Sequence, residues 1–419
     1  MATALNAGTL ALQLEKVRRT IPQLWFSENV FLTKLSTRED MEVSTRPTRV
    51  PLDIQAGGNG GVVNLDGGDM GRGSAGQRAV GLLSNAYYRW AIEWSELSEV
   101  ANDSSGKSIQ NYVEKEVGRG MKNFRAFLDS LVQGNGADQL DTVTAYTVGD
   151  PSISVSTPAR FSDQQIIQIV TGAVGGAVKS TNTISYVDYL NKKLFLTAVP
   201  TGTAPAAGDS VLAENATNVA NSGVAGIQSY QVSSASGTFL TLQRSTYPGR
   251  LTTPYVSGGG LAITPAYGRL LLNLMRIRNG VEGGIASNGF FYMNLDQEAA
   301  WGNTGLVITQ NIYQQIDGNS SVDQLKKMPP KTLAGYPIVP SVKATQGRID
   351  FIAQDHWFRQ EIYPTDFYDV DSKTVFPIYG GSGGLSTTKI TYLVWGGNIG
   401  CDDPAAGAYG DTLAIPSGY

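Results

Sequence analysis

The chain has one cysteine, Cys401, and one histidine, His356, in 419 residues. A single cysteine excludes an intrachain disulfide, and one Cys with one His cannot make a Cys/His zinc site. Charged residues are also few, at 16%, below the usual quarter for a soluble domain. The net charge of −4 leaves no basic footprint for gripping nucleic acid. No apolar run approaches the roughly 18 residues of a membrane span. The first twenty residues, MATALNAGTLALQLEKVRRT, lack a basic start followed by an apolar core, so no signal peptide is expected.

Catalytic patterns fail one by one. Gly71, Gly73 and Gly76 in LDGGDMGRGSAGQ match a dinucleotide fingerprint, but neither a buried strand before them nor a helix after them is indicated. GGSGG around Ser382 matches a nucleophile elbow, yet the only histidine precedes it and LSTTKITYLVW after it reads as a strand. NDSSGKS at 102–108 lacks the first glycine of a phosphate loop. No carboxylate pair is marked for acid–base work. No catalytic, cofactor or metal site is expected.

What the chain has is glycine, 49 residues of it, and pattern. Its length suggests two or three structural units. VSTRPTRVPLDIQA at 43–56 reads as an edge strand, because its prolines cannot serve a sheet centre. A glycine-rich finger follows. AYYRWAIEWS then alternates, with Tyr88, Trp90, Ile92 and Trp94 on one face. The two strands are expected to form an extended hairpin across the finger. From Ser108, Ile109, Val113, Val117, Met121, Phe124, Leu128 and Leu131 recur at helical spacing, giving a helix that ends before Gly134. Its 25 residues make a rod of about 38 Å. Gly118 and Gly120 inside it point to close packing against another element.

Between 142 and 258 charges become scarce and Thr, Ser, Gly and Val dominate. QQIIQIVTG, TISYVDYLNKKLFLTAV, GDSVLAEN and GTFLTLQR read as short strands, with YLNKK as a hairpin turn. Helical period returns with Leu261, Leu270, Leu271, Leu274 and Ile277, and Thr264–Pro265 suits a helix start. GFFYMN is a strand, LDQEAAWGNTG a helix, LAGYPIVPS a strand, and RIDFIAQDHWFRQEIYP a strand pair. TKITYLVWGGNIGCDD closes an α+β body.

This order of elements resembles the major capsid protein of tailed bacteriophages, the Hong Kong 97 capsid fold. The stretch YRWAIEWSELSEVANDSSGKSIQNYVEKEVGRGMKNFRAFLDSLVQGNG looks like the family's returning loop strand, spine helix and following turn. GFFYMNLDQEAAW, TLAGYPIVPS and ITYLVWGGNIGCDDPAAGAYG resemble its later strand–helix element, strand and C-terminal strand. The resemblance implies an α+β fold with an N-terminal arm at 1–40 and an extended loop at 41–95. The spine helix and peripheral domain would occupy 96–144, an inserted all-β domain 145–258, the axial domain's first part 259–345, and returning strands 346–419.

It further implies a structural protein and no enzyme, self-assembling as hexamers and pentamers into an icosahedral shell around phage double-stranded DNA, without sequence-specific binding. A separate scaffolding protein and a portal would be its partners, with a decoration protein left open, and its place the virion, after assembly in the host cytoplasm. An encapsulin-like compartment shell shares the fold, and the large insert speaks against it. Family members that weld the shell use a loop lysine. None lies between Val50 and Tyr88, so that cross-link is not expected. In the family the extended loop lies across a neighbouring subunit. Arg49, Arg72, Arg78, Tyr88, Trp90 and Trp94 are therefore the candidate interface residues, with Arg72 and Arg78 as intersubunit ion-pair partners. The aromatic face either anchors a neighbour or packs on the chain's own long helix.

Overall fold

The computed structural model describes residues 31–38, 47–58, 73–95, 108–214, 218–219, 223–280, 288–302, 332–371, 373–379 and 385–416. Its centre is the helix Ser108–Val132, with the expected length. The apolar stripe Val117, Met121, Phe124, Leu128 and Leu131 is buried, which is what spacings of three and four dictate for one helical face. That face lies against a five-stranded sheet built on the long strand Leu385–Cys401. Trp357–Phe367, then Ser36–Thr37, extend the sheet on one side, and Phe376–Tyr379 also pairs with the long strand. On its remaining edge the long strand takes Ala86–Ser95, from Ala86 opposite Gly397 to Ser95 opposite Thr388. Gly120 is the point of closest approach: a Cβ there would stand 2.4 Å from Ile92 Cδ1.

This pairing corrects the expected hairpin. AYYRWAIEWS does not return along Thr48–Gln55. The strand that does is Gln77–Leu83, whose burial shows little alternation. Alternation in AYYRWAIEWS identified its buried face correctly, but period two carries no information about which strand lies alongside.

A second sheet of six strands runs in the order Tyr255–Ser257, Ala408–Asp411, Ile349–Ala353, Gly289–Met293, Tyr336–Pro340 and Thr332–Leu333. The turn Gln354–His356 leads from Ile349–Ala353 directly into Trp357–Phe367, so the two sheets share a seam. Helices Pro265–Asn279 and Leu295–Gly302 contribute to this second core through Leu271, Met275 and Trp301, alongside Phe291 and Phe351. The first starts as expected, with Thr264 capping the Tyr267 N–H, and stops at Gly280 in the left-handed region. Its buried face differs from the expected one. Gly268, Leu271, Leu272 and Met275 face inward, whereas Leu261, Leu270 and Ile277 are exposed. The helix is apolar on two sides, and spacing alone cannot rank them.

The all-β unit is a closed six-stranded barrel over 139–213, with its strands neighbouring in the order 210–213, 139–146, 152–155, 193–196, 178–188 and 166–170. Ile153, Ile167, Ile169, Ile184, Leu194 and Val211 are wholly buried, so the barrel is a packed core. Its first and last strands pair, Ser210 opposite Thr142, so the chain leaves close to where it enters. The expected boundary of 258 is therefore too late. Residues 223–258 fold back onto the α+β body as helices Ile227–Tyr230 and Pro248–Leu251 and a small hairpin, Thr238–Phe239 with Leu242–Gln243. Tyr230 Oη donates to Ile399 O at 2.7 Å and Gln231 Nε2 to Phe351 O at 3.0 Å. The Ser/Thr-rich composition continues across the junction, but composition does not report long-range contacts.

Candidate subunit interface

The hairpin of Thr48–Gln55 and Gln77–Leu83 has two dissimilar faces. Along the first strand burial alternates strictly, with Thr48, Val50, Leu52 and Ile54 inward and Arg49, Pro51, Asp53 and Gln55 outward. The inner face joins the main core, whose members include Phe239, with Leu240 packed against it. At Gly81 a Cβ would stand 2.7 Å from Leu240 Cβ, and the Leu82 N–H donates to Leu240 O at 2.8 Å. Only glycine allows that approach. The small hairpin at 238–243 thus clamps the root of the large one. A lone two-stranded hairpin is marginal in water, so this clamp is what holds its shape. Further out the ladder continues through the Gly58 N–H to Ser74 O at 2.8 Å and Ser74 Oγ to Gly58 O at 2.9 Å.

The outer face has no cover among the described residues. Arg49 stands opposite Leu82, Pro51 opposite Val80 and Asp53 opposite Arg78. Val80 is 51% exposed and Leu82 38%, so an apolar strip of Pro51, Val80 and Leu82 is bordered by the exposed Arg49 and an ion pair. In that pair Arg78 Nε lies 2.8 Å from Asp53 Oδ1 with both side chains almost fully exposed. Such a pair contributes about 0–1 kcal/mol. Arg78 therefore has its partner within its own hairpin instead of waiting for one from a neighbour. Arg72 lies outside the described residues.

Tyr88, Trp90 and Trp94 belong to the other reading of the aromatic face. Trp90 packs on Phe124 and Phe127 of the long helix, with centroids 6.4 and 5.9 Å away, and Trp94 is buried. Tyr88 stacks on Trp395 and meets Phe127 edge-on. Its hydroxyl donates to Asp138 and accepts the Val224 N–H at 2.9 Å. Burial, then the Asp138 charge, pushes the Tyr88 phenol well above its ordinary range, and burial likewise raises Asp138. The phenol stays neutral and fastens the end of the long helix to the segment after the barrel. These three residues hold the subunit together. The residues that face outward, Pro51, Val80 and Leu82, carry no signal of that orientation in the sequence, since AVGLL at 79–83 is apolar on both faces.

No group of three metal-ligating side chains occurs among the described residues, and no described helix is long and apolar enough to cross a membrane. Ser382 and Gly71 lie outside the described residues. A cavity of about 100 Å³ at the hairpin root, lined by Leu83, Ser84, Tyr230, Phe239, Leu240 and Asn398 among others, offers Tyr230 as its sole titratable group. That hydroxyl is already bonded to Ile399 O.

No protein-family model matches the chain, and no curated protein matches it. Solved structures do align with it along nearly its whole length. The Cyanophage A-1(L) capsid asymmetric unit is 12% identical over 94% of this chain and 93% of that one, with a TM-score of 0.49. The capsid of the native GTA particle is 11% identical over 92% and 91%, at 0.44. The satellite phage P4 procapsid, which includes a size determination (Sid) protein, is 10% identical over 95% and 99%, at 0.40.

Proposed function

We propose that this chain is a structural, shell-forming capsid subunit, a building block without enzymatic activity. The observation that supports this best is the hairpin at 48–83. One face is clamped to the chain's own core, and the other presents Pro51, Val80 and Leu82 to solvent. An apolar strip held rigid on a projecting element is what a repeating contact with another copy requires. Many such modest contacts, repeated around closed symmetry, hold a shell without any single strong one.

In this reading the subunits gather as hexamers and pentamers, and the hairpin of each crosses its neighbour. Arg49 borders that contact, and Arg78 can exchange Asp53 for a neighbour's carboxylate at little cost. The five-stranded sheet with its long helix acts as the peripheral domain, the six-stranded sheet as the axial domain and the barrel as the insert. The acidic balance suits a wall that contains double-stranded DNA without gripping it, since DNA carries one negative charge per about 1.7 Å. A separate scaffolding protein and a portal complete the particle, and a decoration protein is an optional addition to it.

The test is electron microscopy with light scattering of the protein made alone and with a candidate scaffolding protein. Closed shells or capsomer-sized rings are expected, and a persistent monomer under both conditions overturns the proposal. Shells filled with protein cargo instead of DNA in infected cells would point to a compartment of the encapsulin kind.

A further inference from the structure

A strand at the rim of a sheet leaves a row of backbone N–H and C=O groups open to another strand, and proteins keep such edges short or break them with proline and bulges. Most edges of this chain follow that rule. In the six-stranded sheet the outermost strands, Tyr255–Ser257 and Thr332–Leu333, have three and two residues. Thr48–Gln55 carries Pro51, and Gln77–Leu83 is covered at Leu82 by Leu240. Where Trp357–Phe367 runs past Ser36–Thr37 it contains Pro364 and two register shifts. Pro377 interrupts Phe376–Tyr379.

Ala86–Ser95 is the exception. Its ten residues pair with the long strand without a register shift and contain neither proline nor glycine. From Tyr87 to Glu93, no described strand pairs with its other edge. Tyr88 and Trp90 keep part of their surface exposed on the side of the long helix, and Tyr87, Arg89, Ala91 and Glu93 are exposed on the opposite face. On the long strand Val394 stands opposite Arg89 and Ile390 opposite Glu93, so that strand offers neither charge a counter-ion. Arg89 has instead the Tyr392 ring, 6.0 Å from its guanidinium carbon.

We propose that this edge pairs with the same edge of a second copy, antiparallel, about a two-fold axis through Ala91. The sequence is self-complementary in that register. With Ala91 opposite its own copy, Arg89 meets the second copy's Glu93 and Glu93 the second copy's Arg89. Trp90 then stands opposite Ile92 on the helix side, an aromatic–β-branched pair of the favourable kind. Other symmetric registers lose this match. An axis through Trp90 or Ile92 sets the charges opposite uncharged residues, and one through Arg89 or Glu93 sets like charges face to face, which is destabilising. An axis between two residues would place outward side chains opposite inward ones, which the pleat forbids. Backbone hydrogen bonds thus supply the attachment, and the charges supply the register. The contact is isologous, and the joined sheet carries both long helices on one face. It uses none of the hairpin's residues, and two copies suffice for it, in a shell or outside one.

Cysteine placed on the axis tests this in the full-length protein. Opposite residues of an antiparallel pair have Cβ atoms about 4.5–5.5 Å apart, a small adjustment from disulfide distance, and only the residue on the axis faces its own copy. Under mild oxidation Ala91→Cys is expected to give a covalent dimer on a non-reducing gel, while Arg89→Cys and Glu93→Cys stay unlinked. Cys401 is wholly buried and adds no link. In sedimentation equilibrium Arg89→Glu and Glu93→Arg should each weaken dimer formation at least about fourfold, because each turns two favourable pairs into two repulsive ones. Combining Arg89→Glu with Glu93→Arg should restore it. Both positions are exposed, so the subunit's thermal midpoint serves as the control for folding. No covalent dimer from Ala91→Cys, free or in shells, overturns the pairing, as do single reversals that act no differently from the combined one. Amides of 87–93 protected from exchange without that link would assign the edge to another extended segment and equally overturn it. Shells that form without the link would remove this edge and leave the shell reading intact, whereas linked dimers without shells would keep the edge and count against the shell.

Discussion

Gly118 and Gly120 sit in the same turn of the long helix and meet opposite surroundings. Nothing lies within 4 Å of where a Gly118 Cβ would be, while at Gly120 it would press on Ile92 Cδ1 at 2.4 Å and Cγ1 at 2.7 Å. Replacing a helical glycine by alanine gains about 0.5–1 kcal/mol from backbone entropy, and overfilling a packed core costs about 1–3 kcal/mol. The first term acts alone at Gly118 and the second exceeds it at Gly120. Gly118→Ala should therefore raise the thermal midpoint, and Gly120→Ala should lower it, by up to about 2 kcal/mol in equivalent stability. Calorimetry on both variants decides this, and Gly120→Ala combined with Ile92→Ala should recover part of the loss if that contact is the cause. Both glycines read alike in the sequence, as places of close packing, and only one is. Helical spacing puts them on different faces, but which face meets the sheet depends on where Ile92 arrives from a distant strand.

Among the elements, the barrel has its own electrostatic fastening. Asp209 accepts N–H groups from Gly172 at 2.9 Å and Ala206 at 2.6 Å, and Lys179 Nζ at 2.7 Å, tying two turns to a strand. Burial by itself would raise this carboxyl, yet the donors hold it below the ordinary aspartate range. A depressed folded value means a contribution that is whole above about pH 4, the unfolded value, and lost as pH falls through the folded one. Asp209→Asn should lower the thermal midpoint at neutral pH by roughly 2–4 °C, with the gap closing as the pH is taken below the ordinary aspartate range. Melting curves followed by circular dichroism across that range measure it, and a gap independent of pH would assign the effect to shape instead of charge. The fastening residues were not legible in sequence, since Lys179 and Asp209 are brought together only by barrel closure. The elements themselves were, wherever local chemistry decides: the long helix from its stripe, the Thr264–Pro265 start, the YLNKK turn. Pairing was not. AYYRWAIEWS showed its apolar face in full and nothing of its partner, and the barrel's end at 213 is invisible in a composition that continues to 258.

At the scale of the whole molecule, folding and the proposed assembly should separate at the hairpin, because the chain's own core covers only one of its two faces. The inner residues Val50, Leu52 and Ile54 are buried in the subunit's own core, and substitutions there act on the fold. Val80 and Leu82 are half-exposed in the subunit, so replacing both by glutamate removes no core packing and should move the thermal midpoint of the free subunit little, within about 0.5 kcal/mol. In a shell each would bury its remaining apolar surface, about 1 kcal/mol apiece if half of a full burial remains. Losing about 2 kcal/mol per contact corresponds to a factor of about thirty in association, repeated at every subunit. Val80→Glu with Leu82→Glu should therefore raise the concentration needed for assembly by at least tenfold while leaving a folded subunit. Light scattering against concentration, beside calorimetry of the unassembled protein, reads both quantities on one sample. Unchanged assembly would remove the hairpin's outer face from the interface, and assembly lost together with the subunit's own stability would show that this face belongs to the fold.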